Sequence, residues 1–232
     1  MKISIMQPYI FPYLGYFQLI NYADKFVILD DVQFINSGWI NRNYILHNKE
    51  KLLFTIPIQR NGSRSDINKV VVSLTAERKK KLLKSFYFNY LNAPYFKTVF
   101  PMLENLFSGN LTGISKLALS SIENVSNYLG IDTQIIESSE IYNNKELKGQ
   151  NRIIDICKKE KADEYINPSG GIDLYKYEDF KNEGIELKFI KSREIKYKQY
   201  NNEFVGPLSI IDNLMFNSPE QVRKSLIEFD LL

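Results

Sequence analysis

The sequence predicts an α/β protein with a Rossmann-like, mainly parallel sheet and a mixed strand and helix segment near 44–110. Three observations predict it. The N-terminal stretch reads strand, loop, helix, strand, the order of a parallel crossover unit. The C-terminal half alternates strands and helices again. Between them, Leu111, Ile114, Leu117, Ala118, Ile122, Val125 and Leu129 recur at three- and four-residue spacing, as in a long amphipathic helix.

The elements follow in order. Lys2–Met6 is a short apolar run, read as a buried strand. Gln7–Leu14 carries Pro8 and Pro12, which exclude regular helix or central strand. Gly15–Ala23 is a helix with Phe17, Leu19, Ile20 and Ala23 available to face inward. Lys25–Leu29 is a second strand, ending in Asp30-Asp31. Tyr44–His47 and Lys51–Ile58 pair around the turn Asn48-Lys49-Glu50. Asn61–Asp66 is a polar loop and Val70–Leu74 another strand. Ala76–Leu91 is a helix that Pro94 stops. Leu111–Leu129 ends at Gly130, where a helix C-terminus favours glycine. Ile131–Ile136 is a strand, Asn151–Lys159 a helix, Glu164–Ile166 a strand and Asn167–Gly171 a loop. Tyr177–Asn182 is a helix closed by Gly184, and Ile185–Ile190 a strand. Two helices, Leu208–Phe216 and Pro219–Phe229, finish the chain. No long linker, repeat or low-complexity tract interrupts it, so residues 1–232 read as one domain.

Composition narrows the chemistry. Thirty basic and 27 acidic residues leave a formal charge of +3, too small to argue for a nucleic-acid or membrane partner. The single cysteine, Cys157, excludes a disulfide framework and a Cys-rich zinc site. The single histidine, His47, leaves no multi-His metal site, and no protein-held metal is expected. No apolar run is long enough to span a bilayer. The N-terminus reads as mature protein, and cytoplasmic location is the expectation.

Four clusters can carry chemistry. Gln7-Pro8-Tyr9-Ile10-Phe11-Pro12-Tyr13-Leu14-Gly15-Tyr16 lies between a strand and a helix, where open α/β sheets bind ligands. Its tyrosines can stack on a base or sugar. Asp30-Asp31-Val32-Gln33 ends the second strand; a crevice-facing Asp can bind ribose hydroxyls, hold an ammonium or take a proton. Gly38-Trp39-Ile40-Asn41-Arg42-Asn43 places one of only seven arginines between two asparagines, suited to phosphate or carboxylate. Asn167-Pro168-Ser169-Gly170-Gly171-Ile172-Asp173 follows a later strand, and its glycines can turn N–H groups towards an anion. His47 reads as an exposed turn residue and Cys157 as core. Arg78-Lys79-Lys80-Lys81 with Lys84 reads as a solvated helix face.

Together these clusters resemble the WbqC-like family, found among bacterial genes for O-antigen and other surface polysaccharides. The similarity is carried by Met6-Gln7-Pro8-Tyr9…Pro12-Tyr13-Leu14-Gly15-Tyr16, Asp24-Lys25-Phe26-Val27-Ile28, Asp30-Asp31-Val32-Gln33-Phe34 and Trp39-Ile40-Asn41-Arg42-Asn43. Later matches are Ala93-Pro94-Tyr95-Phe96, Ile156-Cys157, Tyr165…Pro168-Ser169-Gly170 and Gly184-Ile185. The family commonly has a histidine in the helix before Ala-Pro-Tyr-Phe; this chain has Leu82 there. The resemblance implies a cytoplasmic step on a nucleotide- or lipid-linked sugar. The favoured form is acyl or aminoacyl transfer, such as glycyl transfer, to an amino sugar. An activated donor, such as a carrier-protein or other thioester, is then a co-substrate, and no tightly bound cofactor is expected.

On that reading Asp30 or Asp31 deprotonates the sugar ammonium. Asn41, Arg42 and Asn43 hold phosphate or the carbonyl oxygen. Gly15, Gly170 and Gly171 present backbone donors. Tyr9, Tyr13 and Tyr16 line the pocket, and Gln7, Gln33, Ser169 and Asp173 complete the substrate contacts. The opening is also similar to that of HIGH-type nucleotidylyltransferases, with Tyr13 and Tyr16 where those enzymes carry histidine. A binding protein without catalysis is the third alternative.

Overall fold

A computed structural model describes residues 1–59, 65–109, 112–200 and 203–232. Its centre is β1 (Lys2–Met6), in a six-stranded sheet with β2 (Lys25–Ile28), β5 (Gln134–Ile136), β6 (Glu164–Pro168), β7 (Glu186–Ser192) and β8 (Phe229–Leu231). The order is β5-β2-β1-β6-β7-β8, parallel throughout except for β8, which runs antiparallel to β7.

Alternation along the strands builds two cores. Ile3, Ile5, Val27, Tyr165, Leu187 and Phe189 face α5 (Gly149–Lys159) and α6 (Tyr177–Asn182), meeting Ile153, Ile156, Cys157 and Phe180. Phe26, Ile28, Ile166 and Ile190 face the other way. There they join the larger core with α1 (Leu14–Tyr22), α3 (Phe96–Ser108), α4 (Ile114–Leu129) and α7 (Ile210–Phe216).

The chain leaves β1 towards β2 on one side and β6 towards β7 on the other. The topological switch point therefore lies between the carboxyl ends of β1 and β6. The loop after β1 and the 3-10 turn Ser169–Leu174 after β6 both start at this edge, as the sequence predicts for a parallel sheet. Asn167 Nδ2 lies 3.6 Å from Met6 Sδ across the two strand ends.

The mixed segment holds the hairpin of β3 (Arg42–His47) and β4 (Glu50–Thr55), followed by α2 (Ala76–Tyr90). Thr75 caps α2 by accepting from the Arg78 N–H at 3.3 Å. Three predicted elements differ, and one helix was not predicted. Val70–Leu74 is no strand: it makes only isolated bridges, Ile58–Val72 and Val71–Gly113. Pro57 has no N–H with which to extend that ladder. Asn167–Gly171 is not a free loop, because β6 runs to Pro168 and the 3-10 turn starts at Ser169. Phe96–Ser108, unassigned by sequence, is helical although Pro101 sits inside it. A proline there costs roughly 3 kcal/mol. Burial of Val99, Phe100, Leu103, Leu106 and Phe107 exceeds that cost, at about 1.5–3 kcal/mol per large side chain. The final helix, α8 (Pro219–Ser225), stops short of Phe229. The chain then adds β8, and Leu232 just beyond it exchanges hydrogen bonds with Phe189 at 2.8 and 2.9 Å. The predicted loop start at Asn61 and helix start at Leu111 lie outside the described residues.

One buried carboxylate ties α7 to its neighbours. Asp212 accepts from Tyr90 Oη at 2.9 Å and from Tyr197 Oη and Gln199 Nε2 at 2.6 Å each. All three donors are neutral, so burial dominates and pushes the carboxyl pKa up to about 6. The native state then holds a proton that the unfolded chain releases near 3.8. This contribution to stability is present at low pH and is lost as pH rises through about 6. Urea unfolding of the parent and of Asp212→Asn, compared across this range, should expose it. The parent-minus-variant stability should fall by roughly 2–3 kcal/mol from about pH 4 to pH 7.

Candidate functional site

The loop after β1 is pinned rather than loose. Phe11 has φ +43°, a left-handed conformation that costs a non-glycine residue about 1–2 kcal/mol. Partners from three other elements hold it there. The Phe11 N–H donates to Ser121 Oγ on α4 at 3.0 Å. Its carbonyl accepts from Asn43 Nδ2 on β3 at 2.6 Å and from Ser209 Oγ, the cap of α7, at 2.8 Å. The Ile10 N–H donates to the Ile40 carbonyl at 3.0 Å, and Ile210 N–H to the Pro12 carbonyl at 2.8 Å.

The pinned loop presents two tyrosines side by side. Tyr9 Oη accepts from the Tyr13 N–H at 3.0 Å, and the rings stack at 6.4 Å. Opposite them stand Trp39 and Tyr44, whose rings lie 5.5 Å apart. Together with Asn43, Lys51, Pro207 and Leu208 they enclose a cleft of about 440 Å³. Trp39 is 50% exposed and Tyr13 38% exposed, a large aromatic area left open to water. The Arg42 guanidinium sits 5.6 Å over the Trp39 ring and donates to the Ser37 carbonyl. Its Nε is buried with no hydrogen-bond partner among the described residues. A second cleft of about 250 Å³ shares Tyr13, Pro207 and Leu208 and continues to Arg193, Glu194 and Tyr197. The two meet at the Tyr13 ring.

Of the residues singled out by sequence, Tyr9, Tyr13 and Asn43 line the aromatic cleft, and Gly15 borders the second. Gln7 stands behind them, its carbonyl accepting from Tyr16 Oη at 3.1 Å. Others serve the fold. Tyr16 is core, packed edge-on against Phe17 and Phe26, because its helix turns it onto the sheet. A Cβ on Gly15 would stand 2.4 Å from the Tyr13 ring and 2.6 Å from Ser192 Oγ. The close approach that demands glycine is made by the protein's own side chains. Asn41 is buried and donates to the Ile56 carbonyl at 2.8 Å, latching β3 to the chain beyond β4.

Gly170 and Gly171 do not adopt positive φ, so the expected anion-facing twist is absent. A Cβ on Gly171 would meet Asn167 Oδ1 at 2.3 Å, so the space beside it is taken by the protein's own side chain. Ser169, at the start of that 3-10 turn, and the exposed Asp173 lie outside both clefts. So does Gln33, exposed and bridged to Asp66.

The two acids part company. Asp31 is buried, with both oxygens 2.6 Å from Arg152 Nη2, and it also accepts from Ser139 Oγ. Arg152 Nε donates to Asn144 Oδ1 at 3.0 Å, so the pair anchors the end of β2 to α5. Asp31 is thus a structural counter-ion, against its predicted catalytic part. Asp30 accepts from Ser115 and Ser138 hydroxyls at 2.6 Å each, and burial raises its pKa. It lines a separate cleft of about 400 Å³ at the start of α4, with Lys69, Lys116 and Glu137, and not the aromatic one.

His47 is exposed, with Nδ1 2.7 Å from Asn89 Oδ1, and Cys157 is buried with its thiol pKa pushed up by burial. Among the described residues no three His, Cys, Asp or Glu gather as metal ligands, and no helix is long and apolar enough to cross a membrane.

Sequence reasoning missed Trp39, Tyr44, Lys51, Pro207 and Leu208 as walls of the cleft. Trp39 had a signal: it is the single tryptophan, three residues before an arginine bracketed by asparagines. The others had none locally.

The profile of the WbqC-like protein family matches residues 7–224. The chain belongs to the WbqC-like protein family. It is also similar to "Uncharacterized protein Rv1507c" of Mycobacterium tuberculosis, 28% identical over 219 residues that cover 93% of each chain. No solved structure matches significantly. The family match contains every residue of the two clefts.

Asp31→Ala separates a structural from a catalytic acid. Removing one partner of a buried ion pair leaves the other charge uncompensated, at about 3–5 kcal/mol. Urea denaturation should show a loss of that size. A variant as stable as the parent that loses turnover would return Asp31 to the reacting centre.

Proposed function

We propose that this WbqC-like protein is an N-acyl or aminoacyl transferase, with glycyl transfer the favoured case. Its substrate is an amino sugar carried on a nucleotide or lipid, in the cytoplasmic assembly of O-antigen or another surface polysaccharide. The aromatic cleft carries this reading. Tyr9, Tyr13, Trp39 and Tyr44 offer flat apolar faces on which a base, or the C–H face of a sugar ring, can stack. Asn43 supplies an amide at the cleft wall and Lys51 a point charge for a phosphate. The adjoining cleft leaves room for the acyl donor beside the same Tyr13 ring.

The reaction is direct attack of the sugar amine on the activated carbonyl. A C–N bond forms, the bond to the leaving group breaks, and the amine surrenders a proton. Glu194 is the carboxylate that lines the second cleft, and it is the group suited to take that proton. The buried Cys157, with its raised thiol pKa, is unsuited to form a covalent intermediate. Arg42 acts through Trp39, which its planar guanidinium overlies.

Mass spectrometry of nucleotide-linked amino sugars, incubated with ATP, amino acids or acyl-thioesters, tests the reaction. A gain of one glycyl or acyl group is the expected result. Pyrophosphate with an adenylylated product would instead establish nucleotidyl transfer, and binding without turnover a binding protein. Trp39→Ala should weaken sugar-nucleotide affinity about ten- to a hundredfold, at roughly 1–3 kcal/mol per stacked ring. Its thermal midpoint should stay near the parent's, because the ring is half exposed. Arg42→Lys should act in the same direction, more weakly. Unchanged affinity in both variants would remove the aromatic cleft from the proposal.

A further inference from the structure

We propose that the exposed face of α2 docks the protein peripherally on anionic lipid bilayers. The helix has fifteen residues and buries Phe86 and Tyr90, with Leu82 and Leu83 packed partly against the same core. Its outer face divides along its length. Lys80, Lys81 and Lys84 stand exposed in the first part. Tyr87, Phe88 and Leu91 follow, 43%, 62% and 40% exposed.

Tyr87 and Phe88 touch edge-on, and contiguous exposed apolar side chains of this kind mark interaction sites where isolated ones do not. Among the described residues, none of the three lysines has a carboxylate within ion-pair distance. The exposed acid on α2 is Glu77, at its far N-terminal end, and the neighbouring α3 exposes Lys97 and Glu104. The chain as a whole carries only +3, so this charge is a local concentration rather than a general excess.

A bilayer surface meets both halves of the face. Lipid phosphates attract the ammonium groups, and aromatic and aliphatic side chains sink into the boundary between headgroups and acyl chains. The Lys84 ammonium lies 5.6 Å over the Phe88 ring, so charge and ring would arrive together. Nucleic acid is the poorer fit. It would meet the lysines and could stack on Tyr87 and Phe88, but Leu91, 40% exposed, offers it neither a charge nor a flat face, whereas a bilayer takes in all three apolar side chains. The docking is independent of what the aromatic cleft binds.

Sedimentation with vesicles tests it. Phosphatidylcholine alone is compared with the same lipid containing about 30% phosphatidylglycerol, at low and high salt. The parent should bind the anionic vesicles, ignore the neutral ones and release in salt. Lys80→Glu with Lys81→Glu and Lys84→Glu should weaken binding at least about tenfold, since each cation near the surface contributes about 1 kcal/mol. Phe88→Ser with Leu91→Ser should weaken it severalfold and leave a salt-sensitive remainder. Thermal midpoints check folding, and Lys→Gln at the three positions replaces the Glu variant if that one melts early. No binding to anionic vesicles by the parent overturns the proposal. So does equal binding by folded parent and lysine variants. Lysine-dependent binding of an RNA oligonucleotide without vesicle binding would assign the face to nucleic acid instead.

Discussion

The backbone of Ile10-Phe11-Pro12 is the constraint on which the rest of the site depends. Left alone, the dipeptides around two prolines would favour extended conformations, and Phe11 would not settle at positive φ. It does so because Asn43, Ser121 and Ser209 bond its peptide groups from β3, α4 and the start of α7. Each bond contributes about 1 kcal/mol. Together they offset the local cost and exclude other paths for the loop. The same bonds also position the hairpin and α7 against the sheet, so scaffold and cleft are one construction. Strain of this kind persists only where the surroundings over-determine it.

A second theme is the disposal of buried charge. Asp31 is neutralised by Arg152 and Asp30 is satisfied by the hydroxyls of Ser115 at the start of α4 and Ser138 after β5, while Asp212 has only neutral donors. The first two are sequence neighbours just after β2 that meet different partners: Asp31 the guanidinium of Arg152 and the hydroxyl of Ser139, Asp30 the hydroxyls of Ser115 and Ser138. Asp31 therefore joins α5 and Asp30 joins α4. The two acids that a motif search would group as one site are fasteners for different layers.

Much of the fold was legible locally. The apolar strand Lys2–Met6, the second strand read as Lys25–Leu29 and found at Lys25–Ile28, the helical spacing ending at Gly130, and the closure at Gly184 all stand as the sequence predicts. Each depends on contacts within a few residues. The misreadings share a cause. Phe96–Ser108 carries a proline that local rules penalise, and tertiary burial overrides it. Phe229–Leu231 is too short to declare itself and becomes a strand only because β7 offers an open edge. In the site, local sequence gives Gly15 and Gly171 as backbone donors for a ligand, yet a neighbouring side chain fills the space beside each.

By itself the sequence determined the parallel α/β plan and the stiff aromatic loop after the first strand. These follow from period, proline placement and residue type, which need no knowledge of neighbours. Only the tertiary structure decided that Trp39, Tyr44, Lys51, Pro207 and Leu208 close on Tyr9 and Tyr13. It also decided that Tyr16 turns inward and that the exposed lysines of α2 share a face with Phe88. The physical reason is that strand order and helix docking minimise exposed apolar area over the whole chain. Local periodicity carries no record of which distant element will supply the opposite wall.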